Sequence, residues 1–146
     1  MVEADTSWAV LGAEGTVILA GRGAAEPPQV RHHVEIVRVG KRDIVVADER
    51  GAEHRFRVTD VDGVGFRSAA RRDLWSRAEL LVPRTSPVVT LAQNHAKAAH
   101  IYFELTKGLD RLRDDRTSEV AAEVRDTAQA LVYALLDLEE DAKETP

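Results

Sequence analysis

Residues 88–112, VVTLAQNHAKAAHIYFELTKGLDRL, and residues 121–142, AAEVRDTAQALVYALLDLEEDA, repeat apolar side chains at alternating steps of three and four. In the first stretch Val88, Leu91, His95, Ala98, Tyr102, Leu105, Leu109 and Leu112 fall on one stripe of a helix. In the second, Ala121, Val124, Ala128, Leu131, Leu135, Leu138 and Ala142 do the same. Between them Arg113-Asp114-Asp115-Arg116-Thr117-Ser118 is polar and short, which forces the two helices to run antiparallel. Ser86 offers a cap and Pro87 a proline preorganised for the first helical turn. Residues 86–146 are therefore expected to form a long helical hairpin that ends in an acidic tail.

One seam does not use all the apolar side chains of this hairpin. Val89, Ala92, Ala96, Ala99 and Phe103 make a second stripe on the first helix, and Val132 and Leu136 widen the stripe on the second. Left in water, such groups cost about 25 cal/mol per Å² of apolar surface. They call for a cover: the protein's own sheet, a second copy that completes a four-helix bundle, or a foreign protein. The residues thus point to a non-enzymatic binding or adaptor protein whose hairpin serves self-association or partner binding. His95 interrupts the first seam, either as a hydrogen-bonded histidine or as a pH-sensitive group in an interface. Gly108 lies within the first helix, where it costs about 1 kcal/mol relative to alanine and marks a kink or a close contact.

Upstream of residue 86 the period changes from helical to alternating. Residues 16–20 are a short apolar run between Gly15 and Gly21, which suits a buried strand. A loop rich in glycine and proline follows, through Pro27-Pro28. Val30, His32, Val34 and Ile36 then share one face, opposite Arg31, His33 and Glu35. Val37 and Val39 continue on that second face, a switch that signals a bulge. Turns at Gly40-Lys41-Arg42-Asp43 and Asp48-Glu49-Arg50-Gly51 separate strands at 44–47 and 54–58, and a further strand is expected near residues 80–82. Four or five short antiparallel strands suit a small SH3-like or OB-like barrel. Gly63 and Gly65 read as a loop and Ser68 as the cap of a short helix over residues 68–78. The expected fold is α+β: a small antiparallel β-barrel or sheet in residues 1–85, then the hairpin.

Composition narrows the function classes. A chain of 146 residues with 44% apolar side chains can bury a core. The absence of cysteine excludes disulfides and thiolate chemistry. No run of about 18 apolar residues occurs, and the acidic start Met1-Val2-Glu3-Ala4-Asp5 is unlike a secretory signal, so a cytoplasmic protein is expected. Residues 1–85 carry 13 basic and 13 acidic side chains, whereas residues 86–146 carry 7 and 12 and supply the net charge of −5.

Catalytic and ligand-binding motifs are missing. His32 and His33 are adjacent on a strand and point to opposite faces, and His95 and His100 are five apart rather than four, so no metal site is expected. Asp60-Val61-Asp62-Gly63 resembles part of a calcium loop, but Val58 and Ala69 stand at its first and twelfth positions. No phosphate loop or nucleophile elbow occurs. The chain is read as non-enzymatic and without cofactor. An alternative rests on Arg67, Arg71, Arg72 and Arg77 with Trp75, since arginines beside an aromatic ring form nucleic-acid contacts.

Val37-Arg38-Val39-Gly40-Lys41-Arg42-Asp43-Ile44-Val45-Val46 resembles the central hairpin of small uncharacterised β-barrel proteins of actinobacterial phages. Glu53-His54-Arg55-Phe56-Arg57 and Ser68-Ala69-Ala70-Arg71-Arg72 stand where those proteins carry a charged strand and an arginine-rich helix. The resemblance covers residues 15–78. It implies a barrel and a mobile-element origin, but no activity, and the hairpin from residue 86 departs from it.

Overall fold

The structure, a computed structural model, describes residues 6–22, 26–63, 65–70 and 77–144. Six strands, β1 (Glu14–Leu19), β2 (Gln29–Val39), β3 (Asp43–Ala47), β4 (Glu53–Asp62), β5 (Gly65–Ser68) and β6 (Glu79–Pro83), precede two helices, α1 (Pro87–Asp114) and α2 (Ser118–Glu144). Each strand pairs antiparallel with the next, and β6 returns to pair with β1, so the meander closes into a barrel. Among the described residues every strand therefore has a partner on each side. This is the α+β class read from the sequence. The chain divides into two compact units, Met1–Ala92 and Gln93–Pro146.

Alternation explains the barrel's two apolar faces. Val17, Val34, Ile36, Ile44, Val46, Phe56, Phe66 and Leu81 point inward and form the interior. Trp8, Ala9 and Ala13 pack against it, with the Trp8 ring 6.0 Å from that of Phe66. The neighbouring residues Ile18, Leu80 and Val82 point outward, where Val88 and Val89 from the first turn of α1 cover them. Pro87 opens α1 directly after Ser86, as the cap and first-turn proline suggest.

Two bulges set which residues face in. The pairing of β2 with β3 skips Val37, so beyond the bulge Val39 pairs with inward-facing Ile44, although it is 47% exposed near the strand's end. This is the change of face expected there. The pairing with β1 also shifts, skipping Arg31, so Val30 packs with the outer cluster while His32 pairs with inward-facing Val17. Val30 and His32 therefore do not share a face.

The sequence reading missed β5. Gly63 turns the chain with a φ of 63°, but Gly65–Ser68 is a strand and not a loop followed by a helix cap. Gly65 is needed there because a side chain would meet Val82 Cγ1 at 3.0 Å. Most of the helix expected over residues 68–78 falls on residues 71–76, outside the described residues.

In the hairpin the seam keeps Ala98, Leu105, Leu112, Val124, Leu131 and Leu138 of the expected stripe and shifts by one residue at the alternate positions. Asn94, Ala98, Ile101, Leu105, Gly108 and Leu112 of α1 are buried or half-buried, as are Val120, Val124, Thr127, Leu131, Ala134 and Leu138 of α2. The Asn94 amide donates to Asp141 Oδ2 at 2.7 Å, and Arg111 donates to Glu123 Oε2 at 3.0 Å. These pairs define one antiparallel register, in which a side chain at Gly108 would lie 3.1 Å from Val124 Cγ2. Gly108 thus marks a close approach. Small residues at 98, 108 and 134 let the backbones come together, whereas Tyr102 and Leu109 at the contact would hold them apart. Tyr102, Leu109, Ala121 and Leu135 are exposed. Replacing half-buried Leu105 by aspartate is therefore expected to cost at least about 2 kcal/mol and to lower the helical signal in far-ultraviolet circular dichroism.

Candidate functional site

Part of the exposed apolar surface of the hairpin gathers on one side, whereas Phe103 of α1 and Tyr133 of α2 lie off it. At 3.6 residues per turn, Ala99, Tyr102 and Leu109 lie on one flank of the α1 seam, and Lys97, Glu104 and Arg111 on the other. On α2, Ala121, Ala128, Val132 and Leu135 lie on one flank, and Glu123, Asp126 and Asp137 on the other. The Arg111–Glu123 ion pair fixes which flanks meet. Because the helices are antiparallel, the two charged flanks share one face, and the two apolar flanks share the opposite face.

That apolar face is open. Tyr102 is 63% exposed, Leu109 51%, Val132 54% and Leu135 45%. At the turn between the helices it runs into an apolar depression of about 590 Å³, lined by Leu109, Leu112, Arg113, Arg116, Thr117, Ser118 and Ala121. Thr117 caps α2 there, its hydroxyl accepting from the amide of Val120 at 3.2 Å.

The residues chosen from the sequence as the spare stripe scatter. Val89 is buried against the barrel's outer face, and Ala92 is also buried. Ala96, Ala99, Val132 and Leu136 are exposed. Phe103 is exposed on the side of α1 away from the seam, with Lys107 Nζ 5.5 Å from its ring centroid.

Two of the four arginines in the alternative site are engaged within the barrel. Arg67 donates to Asp60 Oδ1 at 2.8 Å and to Asp62 Oδ2 at 3.3 Å, which raises its pKa further above the ordinary value. Arg77 donates to the carbonyls of Ala20 and Pro27. Arg71, Arg72 and Trp75 lie outside the described residues.

A third arrangement escaped the sequence reading altogether. His32 pairs with Val17 and His54 with Val46, and both partners belong to the interior, so both imidazoles occupy inward-facing positions. They lie at the mouth of the barrel where β2 and β4 begin and β3 ends. Their rings stack with centroids 5.0 Å apart. Asp48, just past β3, accepts from His54 Nε2 at 2.8 Å and has its Oδ2 4.0 Å from His32 Nδ1. Glu49 accepts from His32 Nδ1 at 2.9 Å and, through its other oxygen, from the His33 amide at 3.0 Å. Beside it, Glu14, His33, Glu35, Asp48, Glu49 and Arg84 help line a polar depression of about 390 Å³.

The turn that holds Asp48 is built for it. Its Oδ1 accepts from the amides of Arg50 and Ala52, and Gly51 supplies the positive φ of 83°. The hydrogen bond from His54, helped by these amides and opposed by burial, lowers the Asp48 pKa from 3.8 to about 2. The hydrogen bond from His32 lowers that of Glu49 in the same way. A carboxyl depressed in the folded state stabilises it above the unfolded pKa, and loses that effect as pH falls through the folded one. The stability gap between the native protein and Asp48→Asn is therefore expected to be full at about pH 4.5 and to close towards about pH 2. Urea unfolding in the presence of a chelator checks this.

No family model, curated protein or solved structure matches the chain. Among the described residues no helix is long and apolar enough to cross a membrane.

Proposed function

We propose that this chain is a non-enzymatic binding module that self-associates through the open apolar face of its helical hairpin. The observation that carries this reading is the placing of Tyr102, Leu109, Val132 and Leu135 on one face, opposite the Arg111–Glu123 pair. A solitary two-helix layer leaves such a face wet, and a second copy supplies an identical face that completes a four-helix bundle.

The dimensions favour a second copy as the occupant. Helices of 28 and 27 residues extend roughly 40 Å, and two side by side present a strip roughly 20 Å wide. Without the first turn of α1, which packs on the barrel, that is at most about 650 Å² per protomer, so two faces together bury about 1,300 Å², at the lower end of a standard stable interface. Over Tyr102, Leu109, Val132 and Leu135 the face is apolar, with Glu139 at its margin, while Glu123, Asp126 and Asp137 of α2 lie on the opposite face. The nucleic-acid reading has less support, because Arg67 and Arg77 already hold partners within the barrel.

Sedimentation velocity at micromolar concentration tests the reading. A species of twice the chain mass is expected. A single species at the chain mass across the concentration range would remove it, and a complex formed only with other proteins would replace the second copy by a foreign partner.

A further inference from the structure

We propose that His32, Asp48 and His54, with Glu49 as a fourth donor, bind one first-row divalent cation of the zinc type at the mouth of the barrel. The donors come from three adjacent parts of the barrel: His32 from β2, Asp48 and Glu49 from the turn after β3, and His54 from β4. One atom each from His32, Asp48 and His54 already lies within 4.8 Å of the others.

The distances fit such an ion. Tetrahedral donors about 2.1 Å from zinc lie roughly 3.4 Å from one another. The donor pairs here, at 2.8, 2.9 and 4.0 Å, bracket that spacing. Imidazole and carboxylate together suit zinc and its neighbours, whereas magnesium and calcium prefer oxygen alone.

Charge points the same way, independently of the geometry. The other ion-paired carboxylates of the barrel meet arginine: Glu14 with Arg84, Glu26 with Arg22, Asp43 with Arg55 and Arg57, Asp60 and Asp62 with Arg67, and Glu79 with Arg31. Among the described residues Asp48 and Glu49 pair with no arginine or lysine, only with His32 and His54. Two carboxylates beside two imidazoles make a donor set whose negative charge a divalent cation neutralises. Each imidazole binds the ion as a neutral ligand through the nitrogen that now faces a carboxylate, with its N–H carried on the other ring nitrogen.

The surroundings hold the donors in place. The Asp48 side chain is only 5% exposed, and the Arg50 and Ala52 amides occupy its Oδ1, which leaves Oδ2 for the ion. The two histidine side chains, at 30% and 31%, stay open enough for an ion to enter.

The test uses the full chain, purified without a histidine tag and stripped with a chelator. Titration calorimetry with zinc chloride is expected to show one saturable site per chain. Cobalt(II) should give the visible absorption of a four- or five-coordinate site. His32→Gln and His54→Gln, which leave the Asp48 turn bonds intact, should each weaken zinc binding at least about tenfold, in line with the loss of a ligand. Far-ultraviolet circular dichroism of both variants confirms that they fold. Absence of saturable uptake below about 100 μM, or uptake that both variants retain unchanged, overturns the proposal.

Discussion

Leu109→Glu combined with Leu135→Glu is expected to turn the proposed dimer into a monomer without unfolding the chain. Both side chains are about half exposed, so the single chain has little packing to lose at either position. Glutamate is a good helix former and keeps the local propensity of α1 and α2. In the dimer the same positions become buried. Each leucine withdrawn from water contributes about 1.5–3 kcal/mol, and a two-fold interface uses four of them. Placing carboxylates there adds their desolvation and mutual repulsion. The dissociation constant is expected to rise at least about a thousandfold, at 1.4 kcal/mol per factor of ten. Sedimentation velocity reads the mass, and circular dichroism should match the parent. Dimerisation that survives both substitutions would place the interface elsewhere. The contrast with Leu105→Asp separates assembly from folding, since Leu105 lies in the seam and Leu135 on the open face.

The sequence is legible where one period governs a whole element. The hairpin, its antiparallel sense and its start at Pro87 follow from threes and fours bounded by a cap, and the β-meander follows from alternation bounded by Gly40 and Gly51. What eluded the pattern was decided by backbone approach. Apolarity alone chooses Tyr102 and Leu109 for the seam, but packing chooses Ile101 and Gly108, the latter because its lack of a side chain lets the helices close. β5 is hidden for a related reason: Gly65 resembles loop composition, and only its proximity to β6 shows why a glycine stands in a strand.

The histidine–carboxylate cluster was illegible for a different reason. His32, Asp48 and His54 have no meaningful spacing along the chain. Their meeting depends on the alternation that puts His32 on the inward face with Val34 and Ile36, and on the register of β3 with β4. The adjacent pair His32-His33 drew attention to opposite faces, and correctly so, but the relevant histidine stood across the sheet. One signal was available: Asp48-Glu49-Arg50-Gly51 has the composition of a turn whose aspartate is fixed by its own backbone. Such an aspartate is held in one orientation, as a ligand must be.

Two phenylalanines separate the barrel's interior from the hairpin's surface in a single comparison. Phe56→Ala is expected to cost about 3–5 kcal/mol, and Phe103→Ala less than about 0.5 kcal/mol. Phe56 is fully buried, and its strand is hydrogen-bonded on both sides, opposite Ile44 of β3 and Ser68 of β5. A closed ring of strands cannot slide inward to fill the space a phenylalanine leaves, so the cavity remains and its full cost is felt. Against the 5–15 kcal/mol typical of a whole domain, that loss lowers the melting temperature of the barrel by roughly 15–30 °C. Phe103 is 58% exposed and points away from both the seam and the open face, so its removal forfeits little more than the contact with Lys107. Melting followed by tryptophan fluorescence reports on the barrel, because Trp8 packs against Phe66 in its interior. Equal costs for the two substitutions would mean that the interior is not sealed as the closed strand order requires, and the mouth that holds His32, Asp48 and His54 would lose its frame.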